Sequence, residues 1–368
     1  MPPDDFVEEA ASSVPPIAGV PTAIAAFVGA AKSGAVNKPV RVQGFAEFEQ
    51  QFGGLAAGCE LGYAVRQFFV NGGTDAFVVR IAKKASVAKT LKGVRALDSV
   101  DLFALLALPG ITAPAILASA ADYCRERRAF LIVDPPQNIR TPVEMGQFIR
   151  TGVLPKTSDG AIFFPWTKVS DPLADGQPRA VSPSGTIAGI IARTDNTRAV
   201  WKSPAGPGAN LLGVKSLEYN LTDHENEPLN ALGVNCLRVF STFGAVAWGS
   251  RTLEGADALA SEWKYIPVRR TALFIGESID RGTTWAVFEP NDEPLWARIR
   301  DSVGSFLHAL FVAGAFRGST PREAFFVKCD RETTTAADIG NGIVNIVVGF
   351  APLRPAEFVV IKIQHRAA

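Results

Sequence analysis

Cysteine is scarce in this chain: four among 368 residues, Cys59, Cys124, Cys236 and Cys329. No pair has CxxC spacing, which excludes a zinc ribbon and a thioredoxin-like motif. So few thiols in so long a chain do not make a disulfide framework, and they read as buried small side chains of a protein made in a reducing compartment. Histidine is scarcer still. His224, His308 and His365 lie far apart and no HExxH exists, so no metal site is expected. There is no GxxxxGK[ST], and no GxGxxG following a strand, so no phosphate cradle and no nucleotide cofactor are expected. With 37 Lys+Arg against 36 Asp+Glu, the chain lacks the basic surplus that a nucleic-acid partner requires. The first residues, Met1 to Asp5, are acidic where a signal peptide needs a basic start. One uncharged run, Leu102 to Ala121, is long enough to span a membrane. Pro109-Gly110 and Pro114 break it, so insertion is not expected.

What is present is the balance of a folded globular protein: 47% hydrophobic residues, 20% charged, mean hydropathy +0.15. The first 20 residues carry prolines at 2, 3, 15 and 16 and no periodicity, and they read as an extended arm. Thr22–Ala30, Val40–Gln43 and Ala76–Ile81 read as strands. Gly44–Phe52 and Gly62–Asn71 read as helices. Residues 82–98 are basic and polar, a plausible boundary. Leu102–Leu108, Thr112–Arg128 and Ala129–Val133 form a β-α-β unit with a parallel strand pair. A helix over Thr141–Gly152, a strand over Ala161–Trp166, a loop over Lys168–Pro183 and a helix over Gly185–Arg193 follow. Ser184 is the candidate cap of that last helix, and Trp201–Gly213 reads as a loop. Strands and helices alternate here, so this part is α/β.

The last third differs. Short strands are expected at Leu237–Phe240, Ala245–Ser250 and Trp285–Glu289, and a helix over Ile266–Arg281. Glu293–Ala315 reads as a long helix with an apolar stripe from Trp296 to Phe311, and its other face carries Arg298, Asp301, Ser305 and His308. Phe325–Cys329 and Ile343–Phe350 read as strands. The chain ends in a strand, Glu357–Gln364, with Val359, Ile361 and Ile363 on one side and Phe358, Val360, Lys362 and Gln364 on the other. Such a terminal strand pairs within its own sheet or is lent to a neighbour by β-augmentation, and composition does not choose between the two.

The enzyme alternative is nucleophilic catalysis. Asp134 follows a buried strand, and Ser184 and His224 could complete a triad. No GxSxG elbow exists, and the residues supply no mutual geometry. No catalytic residue is assigned. Tyr123–Arg128 and Trp263–Arg270 interleave aromatic and basic residues but carry few charges, and read as solvated helix ends rather than nucleic-acid platforms.

Several segments stand out beyond their periodicity: Phe6-Val-Glu-Glu9 with Ile17–Gly29, Phe45–Glu49 with Phe52-Gly-Gly54, and Leu61–Phe69 with Asn71-Gly-Gly73 and Ala76–Arg80. In the middle come Pro165-Trp166 and Ser184–Asp195. Later come Trp248–Leu253, Trp263–Arg270, Glu277–Ile279, Phe288–Asp292 with Leu295-Trp296, and Pro352–Phe358. In their order and spacing these segments together resemble the phage tail sheath family, the contractile sheaths of phage tails and related injection systems. The chain is short for a sheath, and it is most similar to the compact main-sheath subunits of extracellular contractile injection systems.

The resemblance implies an α/β and α+β fold: a central subtilisin-like α/β domain plus a C-terminal α+β sheath domain, with extended N- and C-terminal arms. The expected boundaries are an arm at 1–20, a segment at 21–95 packing with the C-terminal domain, the central domain at 96–235, the C-terminal domain at 236–355 and a donor strand at 356–368. It implies no enzyme activity. It implies a structural subunit that stacks in hexameric rings around an inner tube and contracts to drive the tube through a target envelope. The implied partners are further copies of itself, the tube protein, and baseplate and terminator proteins, with no nucleic acid and no membrane insertion. The protein would be made in the cytoplasm and function in a phage tail or tail-like particle, which in some systems is released. The donated arms would present Phe6, Val7 and Glu8 at one end and Phe358, Val359, Val360, Ile361 and Ile363 at the other. The accepting strands would use Phe326, Val327, Ile346 and Val348. Arg298, Asp301 and Ser305 are the candidates for facing the tube. Two other readings stand beside this one: a subtilisin-fold hydrolase or its inactive relic, and a baseplate-proximal sheath paralogue.

Overall fold

The computed structural model describes residues 15–353 and, as backbone, 359–366. Fourteen strands occur among them: β1 (Ala25–Ala30), β2 (Pro39–Val42), β3 (Ala76–Ile81), β4 (Leu105–Ala107), β5 (Phe130–Val133), β6 (Gly160–Phe164) and β7 (Thr167–Asp171), then β8 (Gln177–Val181), β9 (Val214–Leu217), β10 (Val234–Phe240), β11 (Gly244–Ala247), β12 (Phe325–Lys328), β13 (Ile343–Phe350) and β14 (Val359–Arg366). The chain divides into two compact units. One is Pro21–Phe274; the other joins residues 15–20 to the chain from Ile275 onward.

The larger unit is built on an eight-stranded sheet in the order β11-β10-β6-β5-β4-β1-β3-β2. The central six strands are parallel, and β2 and β11 close the edges antiparallel. β5 is FLIV and β6 GAIFF, buried throughout. Continuous apolar runs of this kind are what a parallel strand covered on both faces requires. Helices Glu60–Val70 and Ser184–Arg198 cover one face through Phe68, Ile187 and Ile191. Helices Val87–Arg95, Pro114–Glu126, Pro142–Arg150 and Asp223–Ala231 cover the other, with Val94, Leu117, Met145 and Leu229 in a second core layer. A separate antiparallel sheet, β8-β7-β9, lies in the same unit. The four cysteines are free and buried, as expected, and burial pushes the Cys236 and Cys329 thiols up to about 12.

The structure departs from the sequence reading in several places. Residues 82–98 hold a helix, Val87–Arg95, not a boundary: Ser86 accepts a hydrogen bond from Lys89 N, and Val94 and Leu97 are buried. Lys168–Pro183 is a hairpin of β7 and β8, not a loop. Pro178 is accommodated because β8 is an edge strand with no ladder partner on its far side. Trp285–Glu289 is not a strand, because Phe288 sits at φ +76 and the chain turns through a short 3-10 segment at Thr284–Ala286. The expected domain boundaries also differ. Residues 21–95 supply β1, β2 and β3 to the large sheet, and β10 and β11, placed in the C-terminal domain at 236, belong to it too. The boundary falls inside the helix Ile266–Gly282. Sequence periodicity reports local structure and is blind to which sheet a strand joins.

Two glycines set how closely the helices on the first face approach. A Cβ on Gly185 would stand 2.2 Å from the Ala64 carbonyl oxygen, and one on Gly189 2.5 Å from that of Phe68. Both obstacles are backbone of the facing helix and cannot turn aside. Gly185→Ala is expected to cost about 1–3 kcal/mol by forcing the helices apart. Gly304→Ala, at a helix glycine with open space around its Cβ, is expected to gain about 0.5–1 kcal/mol from propensity alone. Paired thermal melts check the opposite signs.

Candidate assembly site

The smaller unit carries the three-stranded antiparallel sheet β12-β13-β14 beside the helix Glu293–Val312. That helix starts where the sequence says it should. Asp292 accepts from Leu295 N at 3.2 Å, and Pro294 sits in the first turn. Its apolar stripe, Trp296, Ile299, Val303 and Leu307, is buried. Asn291 ties helix to sheet: its side chain accepts from Trp296 Nε1 at 2.8 Å and donates to the Ile343 carbonyl at the start of β13 at 3.0 Å.

β13 is the central strand. Val344, Ile346, Val348 and Phe350 are fully buried, which is the period-two pattern of a strand with one face on a core. Its register places Phe325 to Lys328 opposite Phe350 to Val347 on one side. On the other, Val359, Ile361 and Ile363 stand opposite Phe350, Val348 and Ile346. All four acceptor candidates therefore lie in this sheet: Phe326 and Val327 on β12, Ile346 and Val348 on β13. Gly349 is required beside Phe326, whose ring lies 2.2 Å from where a Cβ would stand. Within this single chain, the terminal strand lies on the chain's own β13 along all eight residues of that strand. Phe358, and Phe6, Val7 and Glu8 of the expected N-terminal arm, lie outside the described residues.

Residues 15–20 are described, and their anchoring was missed in the sequence. The Pro15 carbonyl accepts from Ser302 Oγ at 3.0 Å, and Val20 N donates to Ser278 Oγ at 3.1 Å. Ile17 is buried, and a Cβ on Gly282 would meet its side chain at 2.7 Å. A lone isoleucine between prolines was the available signal. Residues 15–20 are thus fixed on their own unit.

The candidate tube-facing residues are divided. Asp301 and Ser305 are exposed on the helix Glu293–Val312. Arg298 is engaged within the unit: its guanidinium lies 4.5 Å from the Trp285 ring centroid and pairs with Glu289 at 3.3 Å.

The structure brings together two of the three triad candidates in the larger unit. Asp134, just past β5, accepts from Ser184 Oγ at 2.7 Å, from Ser184 N at 2.8 Å and from Gly110 N at 3.0 Å. Ser184 is the first residue of its helix, not the cap, and the Asp134 carboxylate takes up the free N–H there instead. Both side chains are buried, whereas His224 is exposed on the helix Asp223–Ala231. Burial pushes the Asp134 carboxyl up to about 6 from an ordinary 3.8, against the hydrogen bonds from Gly110 and Ser184 that lower it. Between those values the native protein holds a proton that the unfolded chain has released. Asp134 therefore contributes most below pH 4, and that contribution is lost as pH rises through 6, a change of about 3 kcal/mol. Asp134→Asn carries no such charge. Its stability relative to the parent chain should rise by that amount between pH 4 and pH 7 in urea unfolding.

Comparison with known proteins bears on this arrangement. Residues 260–366 match the family model of the phage tail sheath C-terminal domain, which covers nearly the whole described C-terminal unit. The tail sheath protein of Vibrio phage KVP40 is 26% identical over 200 residues, 48% of this chain but 29% of its own length. Thus the match spans under a third of that relative. Solved structures extend the likeness to the whole chain. The chain from the PVC sheath complex of an extracellular contractile injection system, in its contracted state, superposes with a TM-score of 0.79 at 27% identity, covering 99% of this chain and 97% of that one. A chain of the anti-feeding prophage baseplate gives 0.78 at 28% identity, covering 99% of both. Its C-terminal unit is thus matched in sequence by the tail sheath C-terminal domain, and its entire length is similar in fold to a chain of a contractile sheath complex.

Proposed function

We propose that the protein is the structural subunit of a contractile sheath, polymerising as stacked hexameric rings around an inner tube and contracting to drive that tube through a target envelope. The single observation carrying this reading is the likeness along 99% of the chain to a chain of a contracted sheath complex, with 97% of that chain covered. No observation favours the hydrolase reading: the Ser184 hydroxyl is committed to Asp134 and both are buried. We also read the parallel sheet of the larger unit as the subtilisin-like core that the resemblance implies, kept as scaffold without the chemistry.

The work of such a subunit is to stay joined to its neighbours while the bodies move. β14 is attached to β13 by backbone pairing and to the rest of the chain through residues 354–358. A neighbour's β14 could take the same register on β13 and recover the same backbone hydrogen bonds. Exchange of identical strands therefore costs little in enthalpy, and it links copies instead of closing each on itself. The N-terminal arm at 1–14 would make a second such link, and two links held at high local concentration strengthen each other. The tube, baseplate and terminator proteins are the remaining partners of the reading, with Asp301 and Ser305 available to the tube. The likeness to a baseplate chain keeps open a baseplate-proximal paralogue, which copy number per particle would separate from the main repeat. Negative-stain microscopy of the purified protein with its tube protein should show hollow striated tubes. Absence of any polymer at every concentration tried would end the sheath reading.

A further inference from the structure

The larger unit carries surface features of opposite character at the two ends of its main sheet. At one end, the β10–β11 hairpin presents three partly buried rings. Phe240 lies 4.6 Å from Phe243 and 4.5 Å from Trp248, centroid to centroid. Val239 beside them is 46% exposed. The helix Asp223–Ala231 flanks this cluster and packs on β10, exposing Asp223 and Glu227. Asp223 pairs at 2.5 Å with Arg238, whose guanidinium lies over the Phe240 ring, so acid and aromatics form one surface.

At the other end, the helix Val87–Arg95 packs on β1 and β3. Lys83, Lys84, Lys89 and Lys92 are all exposed here. Five strand spacings separate β10 from β3 in the sheet, about 24 Å at roughly 4.8 Å each. Both helices pack into the same core layer, through Leu229 and Val94, so the two surfaces lie on the same side of the sheet.

We infer that these two ends dock on each other between copies of this chain: the lysine-bearing end of one copy seats against the aromatic and acidic end of the next. Charge complementarity selects the occupant. Lysine stems cover apolar rings while the ammonium groups reach the acids and the ring faces. A contact between two different patches of one molecule is heterologous, so it propagates instead of stopping at a dimer, and gives rings or helical filaments. The inference rests on the sheath reading and deepens it by naming a body-to-body contact that uses neither chain terminus.

Changing the sign of the charge presented at one end, by reversing charged residues and adding a cation at His224, tests it in the full chain. The variants are Lys89→Glu with Lys92→Glu at the basic end, and His224→Lys with Glu227→Lys at the acidic end. All four positions are exposed, and the Arg238–Asp223 pair is left intact. Each pair alone should raise the protein concentration needed for polymer by about tenfold or more, and all four together should restore it. Melting temperatures report on folding. In parent polymer, zero-length carbodiimide cross-linking should join Lys89 or Lys92 to Glu227 of another copy. Parent chain that polymerises while the one-ended variants do so equally well, or a four-fold variant that is not restored, overturns this contact and leaves the sheath reading standing. A parent chain that never polymerises overturns both.

Discussion

Chain lacking residues 358–368 is expected to remain a soluble monomer and to form no tubes. The expectation follows from where β14 sits. It pairs with β13 from Ile343↔Arg366 to Phe350↔Val359 and, among the described residues, with no other strand. The cores of the larger unit are built from residues between 25 and 273, so none of that apolar burial is lost. The truncation removes roughly eight backbone hydrogen bonds, about 4–12 kcal/mol at about 0.5–1.5 kcal/mol net each. If the strand served only its own chain, that loss would appear as local destabilisation of the smaller unit and nothing more. If it links copies, the loss falls on every junction and the polymer disappears. Circular dichroism should show the large unit intact, and negative stain should show no tubes. A synthetic peptide of residues 358–368 should bind the truncated chain, because the β13 edge it leaves open has the complementary register. Tubes of normal appearance from the truncated chain would sink the strand-exchange proposal.

Arg270→Met is expected to lower the stability of the larger unit by about 3–5 kcal/mol. The guanidinium grips Asp195 through both oxygens, at 2.8 and 2.6 Å, and also donates to the Thr22 carbonyl at 2.9 Å. The Arg270 side chain is 4% exposed and that of Asp195 2%. Removing the cation leaves a carboxylate and a carbonyl stranded away from water, and that stranded pair accounts for most of the expected loss. Arg270→Met with Asp195→Leu removes both charges and should recover most of the stability. Urea unfolding of the single and double variants checks the pair. A single variant within about 1 kcal/mol of the parent chain would mean that water reaches Asp195. The contact also joins three distant stretches of sequence, the entry to β1, the helix Ser184–Arg198 and the helix Ile266–Gly282, so its loss should broaden the transition as well as shift it.

The legibility of the sequence varied with the kind of information involved. The buried parallel strands were clear, because a strand covered on both faces must be apolar along its length, as FLIV and GAIFF are. The long helix was clear from its stripe and its Asp292-Glu293-Pro294 start. The β7–β8 hairpin was obscured by Pro172, Pro178 and Pro183, since proline argues against a strand unless the strand is known to be an edge. The helix Val87–Arg95 was obscured by its lysines, although Val94 and Leu97 kept helical spacing. Strands β12 and β13 were readable as strands. That Ile17 packs on Gly282 was not.

By itself the sequence determined most of the element types, the burial of the thiols, the lack of the motifs that phosphate and metal chemistry use, and the resemblance to sheath proteins. These depend on composition, local periodicity and short motifs, which the order of residues carries directly. Only the tertiary structure decided which strands share a sheet, where the two units divide, that Ser184 and Asp134 meet while His224 stays exposed, and that lysines and aromatic rings occupy opposite ends of one sheet. Those facts are set by contacts between residues tens to hundreds of positions apart. Such contacts follow from packing complementarity in three dimensions, which no local pattern encodes.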